Sequence, residues 1–187
     1  TINGVTATGG NSFPGAESPG TDKVVTPGSY SVSESGPTGY SASYSSDCTG
    51  TISAGQTKTC TVTNDDQQAY IIVDKTVVND NGGSATPNDF LLTVNGNAVS
   101  DGVAYPVNPG THTAGETLLS GYTAGAWGGD CDANASVTVA LGQTKTCTIT
   151  NDDIAPTLTL VKTVTNNNGG SAVATDWTLT AAGYDPN

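Results

Sequence analysis

The sequence predicts an all-β protein built from tandem β-sandwich modules. Three observations lead to this prediction: apolar and polar residues alternate over short stretches, turns rich in Gly, Pro and Asn follow these stretches, and the pattern recurs along the chain. Alternation with a period of two places one face of an extended strand against a core. Helical periodicity is missing from the sequence, so strands and turns are expected throughout.

The recurrence is visible in two pairs of matching segments. Residues 57–83 (TKTCTVTNDDQQAYIIVDKTVVNDNGG) match residues 144–170 (TKTCTITNDDIAPTLTLVKTVTNNNGG), which begin 87 residues later. Residues 27–43 match residues 109–125 in the same way. Self-similarity at a fixed period is the sequence signature of a repeat architecture.

The repeat predicts one complete β-sandwich module over residues 68–154, flanked by two partial modules. Residues 1–67 match the later part of a module and lack its first strands, whereas residues 155–187 match the first strands alone. Because these two pieces are complementary, we expect the chain to correspond to one period of a longer array. Three explanations stay open: a continuous chain that repeats this unit, subunits that complete one another by strand donation, or a sequence cut at that point.

The charge composition excludes several classes of partner. The net charge is -12, with five Lys and no Arg. A nucleic-acid interface or an anionic membrane surface needs clustered basic residues, so neither partner is expected. No apolar stretch approaches the roughly 18 residues that cross a bilayer, so membrane insertion of this segment is not expected either.

The four cysteines form two local pairs, Cys48 with Cys60 and Cys131 with Cys147. Their spacing is wider than that of a zinc knuckle, and the chain has a single His. Two disulfides are therefore predicted, each closing a short loop. Disulfides persist in oxidising compartments, which favours an extracellular or cell-surface location.

Each module also places three polar residues on the apolar phase of its strands. Lys75 shares its phase with Ile71, Val73 and Val77, and a Glu and an Asn occur in the same way in two later strands. Because a lone buried charge is costly unless it is paired or neutralised, the three side chains of a set are expected to meet. The two sets are Lys75, Glu116 and Asn151, and Lys162, Glu34 and Asn64.

The motifs around these residues resemble the prealbumin-like modules of bacterial surface proteins, namely the collagen-adhesin B-type and SpaA-like pilin domains. The shared features are a first-strand Lys, a Glu that precedes Gly-Tyr, and an Asn in the last strand. They occur in VDKTV (73–77) and LVKTV (160–164), SESGPTGY (33–40) and GETLLSGY (115–122), and TVTN (61–64) and TITN (148–151). The resemblance extends over the whole chain and implies a prealbumin-like β-sandwich for each module.

In that family the Lys amine attacks the Asn amide, ammonia leaves, and an intramolecular isopeptide bond remains, with the Glu as proton shuttle. The resemblance therefore implies a bond from Lys75 to Asn151 assisted by Glu116, and one from Lys162 to Asn64 assisted by Glu34. The alternative is an unreacted, hydrogen-bonded Lys–Glu–Asn cluster. The chain departs from many family members in its cysteine pairs, and the second Glu motif lacks the Pro of the first.

Two further sequence features can each be explained either by ligand binding or by ordinary structure. Asn and Asp cluster at 64–66, 79–81 and 151–153, where oxygen ligands for calcium or simple polar turns are both compatible with the sequence. The aromatic residues Tyr122, Trp127 and Trp177 would suit either a sugar-binding platform or core packing. No cofactor and no dedicated metal site are predicted.

Taken together, these features favour an extracellular structural protein: a filament, stalk or matrix fibre whose partners are copies of itself. An enzyme acting on an outside substrate is not expected, because the sequence contains no nucleophile elbow and no recognisable triad order. The rival hypothesis is a cell-surface adhesin module that binds a glycan or protein ligand. A large exposed apolar or aromatic patch would favour the adhesin.

Overall fold

The computed structural model describes residues 1–183, and over these residues the protein is all-β, as predicted. Fourteen strands and three short 3-10 turns (Ser46–Cys48, Pro87–Asp89 and Ala174–Asp176) occur in the described chain. Five strands precede Gln67: β1 (Ile2–Asn3), β2 (Gly28–Val32), β3 (Tyr40–Tyr44), β4 (Thr49–Ile52) and β5 (Val62–Asp66). Nine follow Gln68: β6 (Ala69–Val78), β7 (Leu91–Val94), β8 (Asn97–Val99), β9 (Tyr105–Val107), β10 (Gly110–Thr117), β11 (Tyr122–Ala124), β12 (Gly128–Gly129), β13 (Ser136–Val139) and β14 (Thr144–Asp153).

Strands β6–β14 form two sheets, and we call this unit the complete sandwich. One sheet has the order β13-β10-β7-β8; the other has the order β11-β14-β6-β9, with β12 also paired to β14. The first and last strands, β6 and β14, lie side by side and parallel, with Thr144 opposite Tyr70 and Asp152 opposite Val78. The two ends of the sandwich sequence are therefore hydrogen-bonded to each other along ten-residue strands.

The core of the complete sandwich comes from the alternating apolar phase that the sequence predicts. Strand β6 buries Ile71, Val73 and Lys75 in succession, while Asp74 between them is exposed. Buried residues of the opposite sheet, such as Leu92 and Val137, belong to the same cluster. Each fully buried Val, Leu or Ile contributes roughly 1.5–3 kcal/mol of transfer free energy, so this two-layer core holds the module together.

Strands β1–β5 form the incomplete sandwich, which consists of a three-stranded sheet, β1-β2-β4, and a two-stranded sheet, β3-β5. Its pairing repeats that of the complete sandwich: Tyr40 lies opposite Asp66, as Tyr122 lies opposite Asp153. Strand β5 is half the length of its counterpart β14, five residues against ten. The reason is that β14 pairs with β6 along its length, whereas no strand within residues 1–183 takes that place beside β5.

Residues 155–183, which we call the C-terminal segment, contain no strand, although the sequence pattern predicts strands there. Their apolar residues are exposed: Leu158 keeps 73% of its surface accessible and Leu160 48%, whereas the matching Ile71 and Val73 are at 1% and 0%. The difference has a physical cause, because a strand needs a partner for its backbone hydrogen bonds. In this structure the C-terminal segment has none.

The two sandwiches are joined by only Gln67 and Gln68, and the joint is closely packed. The backbone N–H of Gly142 donates to the carbonyl oxygen of Gln67 at 2.9 Å. Gly39 has a φ of +85° and lies directly against Leu141, so a side chain at this position would collide with it. Such a joint restricts the relative movement of the two units.

Two disulfides are present, as the cysteine spacing predicts. Cys48 is bonded to Cys60, with the Cα atoms 4.5 Å apart, and Cys131 to Cys147, with the Cα atoms 4.9 Å apart. These two disulfides use all four cysteines of the chain. Within the described residues, no helix has the length and apolar character required to span a membrane.

Candidate functional site

The interior of the complete sandwich contains a buried ion pair. Lys75 lies on the inner face of β6, and its Nζ is 2.6 Å from Oε2 of Glu116 on β10, in the opposite sheet. The Lys75 side chain has no exposed surface and that of Glu116 has 5%. Burial of two charges costs several kcal/mol per ion, so a pair this deep in the core needs a structural or chemical reason.

Two further contacts, besides the ion pair with Glu116, position Lys75. Its ammonium group lies 4.3 Å from the centre of the Phe90 ring, within cation–π range. Phe90 in turn packs edge-on against Tyr122. The backbone N–H of Lys75 donates to the Asp101 carboxylate at 2.7 Å, on the side of β6 away from β14, where β9 has already ended. These contacts fix both the backbone and the amine.

Asn151 completes the cluster from the neighbouring strand β14. The register places Ile149 opposite Lys75 and Asn151 opposite Val77. Since side chains two residues apart share a face, Asn151 lies one step along from Lys75 on the same inner face. Asn151 has no exposed surface.

The amide of Asn151 has no hydrogen-bond partner, and neither does Oε1 of Glu116. Within residues 1–183, the buried side-chain polar atoms without a partner are Nδ2 and Oδ1 of Asn151 and Oε1 of Glu116. A buried polar group without a partner costs about 1–3 kcal/mol, and such groups are rare in folded proteins. Here all three atoms belong to one Lys–Glu–Asn cluster.

This arrangement is suited to acyl transfer from an amide to an amine. A carboxylate in contact with an ammonium can accept its proton, which leaves a neutral amine, and only the neutral amine is a nucleophile. Burial and the shared inner face fix the positions of the Lys75 amine, the Glu116 acid and the Asn151 amide within one core, and fixed positions raise the effective concentration of reacting groups.

The second predicted set, Lys162, Glu34 and Asn64, is divided between two parts of the structure. Nδ2 of Asn64 donates to Oε2 of Glu34 at 3.1 Å, and both residues are exposed. They line an open groove of about 440 Å³ on the incomplete sandwich, together with Tyr40, Tyr44 and other residues of β3. Lys162 lies in the C-terminal segment instead, 4.4 Å from the centre of the Trp177 ring.

Three aspartates cluster at the end of the complete sandwich, and one of them, Asp153, holds the 79–83 turn. Carboxylate oxygens of Asp80, Asp152 and Asp153 lie within 4.8 Å of one another. The Asp153 carboxylate accepts hydrogen bonds from the backbone N–H groups of Asp80, Asn81 and Gly83. Burial raises the pKa of Asp153. The hydrogen bonds, above all those from the backbone N–H groups of Gly83 and Asn81, lower the pKa by more than burial raises it, so the pKa lies below its ordinary value. Its oxygens therefore fasten the 79–83 turn to the last strand.

The sequence analysis did not predict three features of the site. They are the contact of the Phe90 ring with the Lys75 ammonium, the hydrogen bond from the Lys75 backbone to Asp101, and the hydrogen bonds from the 79–83 turn to Asp153. The recurrence of an aromatic residue at positions 90 and 177 was the available signal for the first. The three aromatic residues that the sequence offered as a sugar-binding platform differ in burial. Tyr122 and Trp127 are partly buried and pack against the core, whereas Trp177 is 43% exposed.

Comparison with protein-family models finds the prealbumin-like fold domain of the SpaA type three times, over residues 1–65, 66–149 and 153–187. A search of curated proteins found no match. Domains of this family are structural or adhesive, not enzymatic, and are typically surface-exposed. Because three consecutive matches account for nearly every residue and agree with the observed all-β architecture, the chain belongs to the prealbumin-like fold domain family.

Proposed function

We propose that this protein is an extracellular structural protein, a filament, stalk or matrix fibre, whose complete sandwich is locked by an isopeptide bond between Lys75 and Asn151. The observation that carries the proposal is the buried Lys75–Glu116 pair beside an Asn151 amide without hydrogen-bond partners. An unreacted cluster would retain the cost of those unpaired atoms. Formation of the bond removes the Asn151 amide nitrogen and the lysine charge from the core.

The reaction requires no outside reagent. Glu116 accepts a proton from the Lys75 ammonium, and the neutral Nζ attacks Cγ of Asn151. The tetrahedral intermediate collapses with cleavage of the Cγ–Nδ2 bond, and Glu116 returns the proton to the leaving nitrogen, which departs as ammonia. A second proton lost by Nζ is taken up by the ammonia, so an ammonium side chain and a primary amide yield a secondary amide and an ammonium ion.

The position of the proposed bond has a mechanical consequence. It joins the first strand, β6, to the last strand, β14, which are adjacent and parallel. Tension that enters at Ala69 and leaves at Asp153 would pass through the bond and bypass the residues between Lys75 and Asn151. Such a load path suits a fibre, and it requires neither a ligand nor a substrate.

Peptide mapping tests the bond directly. In the reduced chain we expect a branched peptide that joins Lys75 to Asn151 and an intact mass lower by one ammonia. Glu116→Gln should abolish both, because the neutral amide cannot accept the lysine proton. Glu34→Gln is the matched control, since Glu34 is exposed in the incomplete sandwich and should leave the Lys75–Asn151 branch unchanged. Linear peptides alone in the parent chain would refute the bond.

A further inference from the structure

We propose that the free edge of β5 is a docking site for residues 158–164 of a second copy of this chain. The incoming segment forms a strand parallel to β5 and covers the groove that holds Glu34 and Asn64. The inference rests on the proposed fibre function, for which it supplies the partner and the contact surface.

The acceptor is a strand edge with an internal precedent. Strand β5 pairs with β3 on one side, and no strand of residues 1–183 occupies the other side. Its counterpart β14 has β11 on one side and β6 on the other. An unpaired edge is a template for addition of another strand. The groove beside it, about 440 Å³, lies where the inner face of the missing strand would point.

The donor has the composition that the edge requires. Residues 158–164 repeat the alternation of β6, yet Leu158 and Leu160 are largely exposed while their counterparts Ile71 and Val73 are fully buried. The donor also brings a lysine, Lys162, to a groove lined by the Glu34 carboxylate. In the complete sandwich the matching charges, Lys75 and Glu116, form the buried pair.

The pairing of β6 with β14 fixes the expected register. Cys147 lies opposite Val73, Ile149 opposite Lys75 and Asn151 opposite Val77. When both strands are shifted by the repeat length, Leu160 lies opposite Cys60, Lys162 opposite Val62, and Val164 opposite Asn64. Lys162 then occupies the position relative to Glu34 and Asn64 that Lys75 has relative to Glu116 and Asn151.

Two polar groups at the end of β5 are positioned to fasten the turn that follows the donor strand. Asp66 is the counterpart of Asp153, whose carboxylate holds the 79–83 turn. Tyr40 is the counterpart of Tyr122, whose hydroxyl accepts from the backbone N–H of Ala85 and donates to Asn79. Both Asp66 and Tyr40 are exposed in this structure. The donor turn 166–170 would place its own backbone N–H groups on Asp66.

The C-terminal segment cannot fill the groove of its own chain. Strands β6 and β14 run parallel away from the joint, so Asp153 lies about 30 Å beyond it at about 3.3 Å per residue. Strand β5 and Cys60 precede the joint. The seven residues from Asp153 to Leu160 span at most about 25 Å, which does not reach back even to the joint. The donor is therefore another copy.

Docking is expected at the β5 edge alone, because strand β1 already pairs with part of the other sheet of the incomplete sandwich. Strand β1 pairs with β2, with Ile2 opposite Val32 and Asn3 opposite Ser31. These are positions where a strand matching β7 would otherwise begin to pair. The β5 edge carries no such occupant within the described residues.

Self-association of the full chain, measured by size-exclusion chromatography with light scattering, tests the docking. The parent chain should assemble with increasing concentration. Leu160→Asp on the inner phase of the donor, and Val62→Asp on the inner phase of the acceptor, should each leave monomers. The matched controls are Val161→Asp, whose counterpart Asp74 is exposed, and Thr63→Asp, whose counterpart Thr150 is exposed; both should assemble like the parent.

A mixture of the two inner-phase variants gives the decisive result. The Val62→Asp chain retains a sound donor and the Leu160→Asp chain a sound acceptor, so together they should form a one-to-one complex that grows no further. A parent chain that stays monomeric at all concentrations, or controls that fail as the inner-phase variants do, would overturn the docking. The Lys75–Asn151 branch, mapped in the same samples, reports on the proposed isopeptide independently of assembly.

Discussion

Replacement of Lys75 by Met tests the energetic reasoning about the buried cluster. The substitution keeps most of the side-chain volume but removes the amine, which is fully buried next to Glu116. Two separate losses follow. The proposed covalent link to Asn151 cannot form, and the buried Glu116 carboxylate loses its hydrogen-bond partner, the Nζ of Lys75.

The magnitudes of the two losses differ in origin. A link between residues 75 and 151 closes a long loop, and the chain-entropy model assigns it about 4.5 kcal/mol of stability. Removal of the donor that hydrogen-bonds to a buried carboxylate costs roughly 1–3 kcal/mol more. The sum is about 6.5 kcal/mol, which falls within the range of the entire stability of a typical domain. Lys75→Met should therefore leave the complete sandwich largely unfolded.

The double variant Lys75→Met with Glu116→Gln separates the two losses. It still lacks the link, but it leaves no unpaired carboxylate in the core. We expect it to be about 4.5 kcal/mol less stable than the parent and measurably more stable than Lys75→Met alone.

Urea unfolding with the disulfides intact provides the assay. Trp127 packs against the core of the complete sandwich and reports its unfolding by fluorescence. Trp177→Phe removes the other tryptophan and introduces the residue found at the matching position 90. Equal free energies of unfolding for the parent and the double variant would refute the link. Equal values for the single and double variants would refute the cost assigned to the unpaired carboxylate.

Three further predictions concern the joint, an acidic residue and a disulfide. Gly39→Ala should loosen the joint, because its new methyl group collides with the other sandwich, and small-angle scattering should show a wider range of shapes; Gly20→Ala, with a similar φ of +87° and open space, is the control. Because the pKa of Asp153 is lowered in the folded state, its stabilisation is present above the ordinary value of 3.8 and is lost as the pH falls through the folded-state pKa. Asp153→Asn should thus reduce both the urea midpoint at neutral pH and its decline in acid; an unchanged acid dependence would contradict this assignment. Replacement of Cys131 and Cys147 by Ser should lower the free energy of unfolding by about 3 kcal/mol in the same urea assay, and no change would show that the disulfide adds nothing.

Much of the fold and of the site can be predicted from local sequence patterns. Alternation along 71–77 predicted the inner face of β6, including its buried lysine, and cysteine spacing predicted both disulfides. The set Lys75, Glu116 and Asn151 was identified from phase alone, because residues on the inner face of one sandwich must share its core. That Lys75 and Asn151 react remains a prediction.

Other features of the cluster depend on contacts between residues far apart in the chain. The cation–π contact with Phe90 and the hydrogen bond from Lys75 to Asp101 join different elements of the chain, and no local pattern specifies either contact. The unpaired atoms of Asn151 became visible only once every neighbouring donor and acceptor had been placed. Sequence pattern states which face a residue takes, whereas partners depend on how two sheets are positioned against each other.

The C-terminal segment separates the two kinds of information most clearly. Its turn reproduces that of the complete sandwich, with Asn166 donating to the Ala172 carbonyl as Asn79 does to Ala85, and its 3-10 turn Ala174–Asp176 matches Pro87–Asp89. These turns form because their hydrogen bonds join residues only a few positions apart. Strands do not form in the same segment, although its alternation is that of β6, because a strand is completed by hydrogen bonds and apolar contacts from another part of a structure. The sequence by itself determined the turns, the inner phase and the cysteine pairs. The tertiary structure decided which strands exist, and it left the edge of β5 without the partner that the counterpart strand β14 has.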